Sequence, residues 1–170
     1  MRRHKQGLLH LSSKADYGFL LLMRLTKYGG GDSGWYGGTD SYGRKSLRSI
    51  AIQDKLSFFF LQKVAADLRK SGLIEACRGK KGGYALAKPA NKISLKEIVE
   101  SLDGPLAIMG CLGSDGIKAC SRLDSCLVRP GFDIINKTII DALSSKTLYD
   151  LTKTYGRTGI KRPARKSGPD

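Results

Sequence analysis

Apolar residues recur at helical spacing in six stretches, each bounded by residues that start or stop a helix. Behind Ser12 and Ser13, residues 14 to 28 place Tyr17, Leu20, Leu21, Met23 and Leu25 on one broad face. A short helix follows Ser46 with Leu47, Ile50 and Ala51, and after a break near Lys55 a longer one runs from Ser57 to about Ser71. In that longer helix Phe60, Leu61, Val64 and Leu68 share the inward face, while Phe59, Gln62, Lys63 and Lys70 fall opposite. Three consecutive phenylalanines cannot share one narrow face, so Phe58 and Phe60 are assigned to the core and Phe59 to the surface. Gly72 ends the helix, LIEAC reads as a strand, RGKKGG as a turn and YALA as the returning strand. Ser94 and Glu97 form a capping box for a helix carrying Leu95, Ile98 and Val99, stopped after Leu102 by Asp103, Gly104 and Pro105. From Pro130 to about Ser144 a stripe of Phe132, Ile135, Ile139, Ile140 and Leu143 defines a long helix, and Thr147 with Asp150 caps a short last one.

The order of these elements predicts a mainly α fold with a small β-hairpin wing: a winged helix-turn-helix domain over 12–104, then a long helix suited to dimerisation. Arg78, Lys80 and Lys81 sit beside glycines at the hairpin tip, where the backbone can approach a phosphate closely. Within the domain, GGGDSGWYGGTDSYGR at 29–44 has no periodicity and reads as a flexible loop anchored by Trp35, Tyr36 and Tyr42. A cysteine-bearing loop occupies 105–129, the dimerisation helix and a short helix 130–155, and a basic disordered tail 156–170.

Charge narrows the partners. Thirty Lys and Arg against fifteen Asp and Glu give +15 over 170 residues and a pI near 9.9, a balance that suits nucleic acid. The longest apolar run, GFLLLM, is too short to span a bilayer, and the basic N-terminus lacks a signal-peptide core, so a cytoplasmic protein with no membrane partner is expected. No nucleophile, base and orienting group stand together in any motif, so the chain is not expected to be an enzyme.

The remaining chemistry lies in CLGSDGIKACSRLDSC, which sets Cys111, Cys120 and Cys126 in a polar stretch with no apolar periodicity to bury them. In a reducing compartment clustered thiols serve as metal ligands or redox sensors. Thiolate suits iron-sulfur clusters, zinc and Cu(I), and the intervals of eight and five residues are wider than the tight knuckle of a structural zinc site. A cluster, zinc, and a thiol or disulfide switch remain the candidates. Cys77, at the end of a strand, reads as a buried small hydrophobe.

Three stretches together resemble the Rrf-type iron-sulfur winged-helix transcription regulators, the group typified by IscR, NsrR and RirA: SSKADYG, LRSIAIQDKLSFFFLQKVAADLRKSGLIEACRGKKGGYALAK, and the cysteines followed by the long helix to LSSKTLYDL. The resemblance covers nearly all of Ser12 to Leu151. It implies a homodimer that binds a palindromic site in double-stranded promoter DNA, tuned by one iron-sulfur cluster per subunit, 2Fe-2S or 4Fe-4S; repression is the expected mode, with activation the other. Carried onto this chain, Cys111, Cys120 and Cys126 are the cluster ligands, and Asp16, matching an aspartate early in the first helix of one branch, is the fourth ligand, supplied by the partner subunit. The DNA-facing set is Ser46, Ser57, Phe59, Gln62, Lys63, Arg78, Gly79, Lys80 and Lys81. The chain departs from the pattern in its long first cysteine interval, in Arg129 where another branch has a histidine ligand, in its N-terminal extension and in the 29–44 loop. A cluster-free regulator of the same fold, controlled by thiol oxidation, zinc or a protein partner, is the alternative.

Overall fold

The computed structural model describes residues 11–26, 44–77, 82–113 and 125–157. The 29–44 loop (apart from Arg44), the hairpin tip, Cys120 and the tail beyond residue 157 lie outside them.

Helix α1 (Ser13–Leu25) begins where the Ser12 hydroxyl accepts the amides of Lys14 and Ala15, satisfying two donors that the first turn leaves unpaired. Predicted to reach residue 28, it stops three residues earlier. Thr26 takes extended backbone and its hydroxyl donates to the Leu22 carbonyl, closing the last turn from the side chain. Helices α2 (Leu47–Asp54) and α3 (Phe58–Lys70) start at Ser46 and Ser57 in the same way. Between them Lys55 adopts the left-handed conformation (φ 54°), and Leu56 donates to the Ala51 carbonyl to complete a Schellman turn. Helix α3 ends in another, with Gly72 at φ 70° and Leu73 donating to Leu68.

Strands β1 (Ile74–Cys77) and β2 (Gly83–Leu86) pair antiparallel, Ile74 opposite Leu86 and Cys77 opposite Gly83. The hairpin recruits a third partner. Lys45 exchanges two backbone hydrogen bonds with Tyr84, at 3.0 and 2.9 Å, so the residue entering α2 also pairs with the wing. Gly83 is required there, since a Cβ would stand 2.7 Å from the Lys45 carbonyl oxygen. The Lys45 side chain is itself buried, its ammonium donating to Gln53 Oε1 at 3.0 Å.

Helix α4 (Leu95–Asp103) packs with α1 and α3 around Leu21, Leu22, Leu61, Leu68 and Ile98, all fully buried. The Ser94 hydroxyl caps its Glu97 amide, but the Glu97 carboxylate pairs with Lys88 on the segment leaving the wing. Two part-buried ion pairs tie helices together: Arg24 of α1 grips Asp54 of α2 through two contacts, and Lys14 reaches Asp67 of α3. Helix α5 (Arg129–Ser145) lies against α4, and α6 (Leu148–Arg157) returns to the domain, anchored by fully buried Leu148.

Three further expectations change. Phe58, assigned to the core, is exposed at the start of α3 and meets Phe59 edge to face; only Phe60 packs inward, against Tyr17. Cys77, the last residue of β1, is half-exposed and not buried. The apolar stripe of α5 divides: Phe132, Ile139, Ile140 and Leu143 are half-buried, with Leu143 against the domain core, while Ile134 and Ile135 stay 69% and 49% exposed.

Candidate nucleic-acid interface and cysteine site

Helix α3 buries Leu61, Val64, Ala65 and Leu68, which fixes its rotation and turns Phe59, Gln62 and Lys63 outward. Phe59 is 77% exposed, a large apolar area for a side chain one residue into a helix. Gln62, one turn further on, offers both a donor and an acceptor, the pattern that can read adenine in a major groove. Ser46 and Ser57 are exposed, and because each hydroxyl accepts its cap hydrogen bond, its O–H proton remains to donate outward. These five side chains therefore share the α2–α3 unit. Arg78, Gly79, Lys80 and Lys81 lie outside the described residues, but the strands that carry them descend from the C-terminal end of α3, with the root of the wing held by Lys45.

Cys111 sits in a 3-10 turn, Gly110–Leu112, and Cys126 lies three residues before α5 begins. Both thiols are unpaired and half-exposed, not consumed in the core, and so are chemically able to ligate a metal or to oxidise. With Cys120 outside the described residues, no three His, Cys, Asp or Glu side chains converge among those described. The soft donor set and its place on open loops fit an iron-sulfur cluster. Asp16 is exposed in the first turn of α1, and its carboxylate has no hydrogen-bond or ion-pair partner among the described residues, so it is available to a group outside this chain.

Asn136 and Lys45 are two buried polar residues outside the sequence-predicted set. Asn136 is 7% exposed, and its Oδ1 accepts the Ile108 amide at 3.0 Å, holding the segment that leads to Cys111. A signal for Asn136 existed: counting i, i+4, i+7 and i+11 from Phe132 gives Asn136, Ile139 and Leu143, which places the amide rather than Ile135 on the inward stripe.

A helix-turn-helix followed by a two-stranded wing, with an outward face of aromatic, amide and cation on its second helix, defines a winged-helix DNA-binding transcription regulator rather than an enzyme. The sequence model of the Rrf2 family, described as iron-dependent transcriptional regulators, matches residues 11–154, and the chain belongs to that family. The transcriptional regulator IscR of Pectobacterium carotovorum is 31% identical over 105 residues, 62% of this chain and 62% of its own. Among solved structures, IscR of T. potens superposes with a TM-score of 0.66 at 26% identity, covering 91% of this chain and 94% of that one. CymR, the global cysteine regulator of B. subtilis, superposes with a TM-score of 0.63 at 26% identity, covering 86% and 98%.

Proposed function

We propose that this regulator works as a homodimer on a palindromic promoter site, repressing until an iron-sulfur cluster held by Cys111, Cys120 and Cys126 changes state. The observation that carries the reading is the pairing of an outward α3 face with two unconsumed thiols placed on either side of a segment that leads directly into α5. Helix α3 lies in the major groove, where Phe59 meets a thymine methyl, Gln62 pairs with adenine, and Lys63 with Arg78, Lys80 and Lys81 reaches phosphate or guanine. Ser46, Ser57 and the Gly79 backbone contribute phosphate contacts. The exposed Ile134 and Ile135 of α5 face the second subunit, whose spacing sets the two recognition helices about one helical turn of DNA apart. Asp16 supplies a hard, displaceable oxygen ligand to the partner's cluster.

Anaerobic purification with a visible spectrum and iron and sulfide counts tests the cluster. The parent is expected to be brown with matched iron and sulfide, and Cys120→Ser bleached. Asp16→Ala with parental spectrum and DNA affinity would remove Asp16 from the ligand set. A second reading, a thiol switch, is favoured by the half-exposure of Cys77, Cys111 and Cys126 and by the likeness to CymR. Colourless protein whose promoter binding responds to peroxide and reverses with dithiothreitol would select it.

A further inference from the structure

Helix α5 carries one buried side chain, and it is polar. Asn136 alone among the helix's residues is buried, at the centre of a face otherwise made of Phe132, Ile139, Ile140 and Leu143. A leucine there would continue the stripe, whereas an amide is unfavourable in such a place unless it is hydrogen-bonded. Its partner is 28 residues back in the chain: the Ile108 N–H, at 3.0 Å from Oδ1. Residues 105–113 belong to no helix or strand beyond the short turn at Cys111, and their other hydrogen bonds stay within that turn. Among the described residues, the Asn136 amide is thus the one hydrogen bond that fastens this segment to another element.

We infer that Asn136 is the positioning residue of the cysteine site, referencing Cys111 to the same helix that Cys126 leads into. Cys126 is tied to α5 covalently, three residues before its first turn. Cys111 is tied to it through Ile108, three residues away, and the amide two turns along the helix. The separation of the two thiols is then set by α5, and any pull exerted at the thiols is delivered to α5 and to the exposed Ile134 and Ile135 beside Asn136. The link to a cluster rests on the function proposed above; the positioning of Cys111 does not.

The test uses Asn136→Leu, which keeps the branched shape and removes the acceptor, and Asn136→Asp, which keeps an acceptor, both in the full chain. In metal-free, reduced protein, alkylation by iodoacetamide is followed by mass spectrometry at Cys111 and Cys126 separately. Asn136→Leu is expected to raise the Cys111 rate relative to Cys126 roughly fivefold, the equivalent of one hydrogen bond, while Asn136→Asp keeps the parental ratio. Global destabilisation would raise both rates together and leave the ratio unchanged. In the parent, the Ile108 amide is expected to be protected from hydrogen exchange, a measurement that needs no variant to fold. An unchanged ratio in folded Asn136→Leu, or an Ile108 amide that exchanges as fast as an open loop, overturns the inference. After anaerobic reconstitution, Asn136→Leu should lose its visible absorbance to an iron chelator several times faster than the parent. A parent that stays colourless refutes the cluster while the alkylation ratio still decides the role of Asn136.

Discussion

Replacing Gly83 by alanine tests whether the wing is held by the strand that enters the helix-turn-helix. The added Cβ would stand 2.7 Å from the Lys45 carbonyl oxygen and 2.9 Å from its carbon, and both are backbone atoms that cannot rotate aside. Relief requires the Lys45 and Tyr84 backbones to part, which breaks the two hydrogen bonds between them. At a net worth of about 0.5–1.5 kcal/mol each, their loss comes to about 1–3 kcal/mol. Gly110 is the control: a Cβ there meets nothing within 4 Å, so Gly110→Ala should stay within about 0.5 kcal/mol of the parent. Urea unfolding of the three proteins gives the stabilities, and hydrogen exchange at the Tyr84 amide shows whether the loss is local. Because the same pairing sets the base of the hairpin, Gly83→Ala should also weaken promoter binding at temperatures where it remains folded. A Gly83→Ala protein as stable as Gly110→Ala, with the Tyr84 amide still protected, would refute the reasoning.

Three further perturbations separate other parts of the molecule. Gln62→Ala should relax preference at one base position and weaken specific binding by about 1–3 kcal/mol, whereas Lys63→Ala should weaken specific and random DNA alike and flatten the salt dependence by about one unit. Equal losses on both DNAs from Gln62→Ala would remove its reading role. The Thr147 hydroxyl and amide donate to Asp150 at 2.8 and 3.0 Å and hold its carboxyl below the ordinary carboxylate value. A lowered pKa stabilises the fold above the unfolded value of about 4, and that contribution is lost as pH falls below it. The melting difference between parent and Asp150→Asn should therefore shrink between pH 5 and about pH 3; a difference that is flat with pH would contradict this.

Helix starts, and the stops other than that of α1, were legible in the chain because their signals act between neighbours. Ser12, Ser46, Ser57 and Ser94 each cap an amide two or three residues away, and Gly72 supplies the left-handed residue that ends α3. The outward direction of Phe59 followed from helical periodicity, which leaves no room on the inward face beside Phe60 and Leu61. Even the candidate ligands could be found this way, since three cysteines in a polar stretch stand out by composition alone. The triplet Phe58–Phe60 shows the limit. Periodicity fixes where side chains lie around α3, but how far the position of Phe58 is covered depends on what other elements bring there, and among the described residues it stays 36% exposed.

What the tertiary structure alone decided lies between residues far apart in the chain. Lys45 pairs with Tyr84 across 39 positions and Asn136 receives Ile108 across 28; the spacing along α5 that turns Asn136 inward does not name its partner, and nothing beside Lys45 names Tyr84. The division of the α5 stripe was settled by the placing of α4 and the domain core beside it, which covers Leu143 and leaves Ile134 and Ile135 in the open. Amphipathic spacing specifies that a helix must bury a face. Whether the layer that covers that face is this chain or a second one depends on where the fold brings other surfaces, and hydrophobic burial, being non-directional, writes no such address into the sequence.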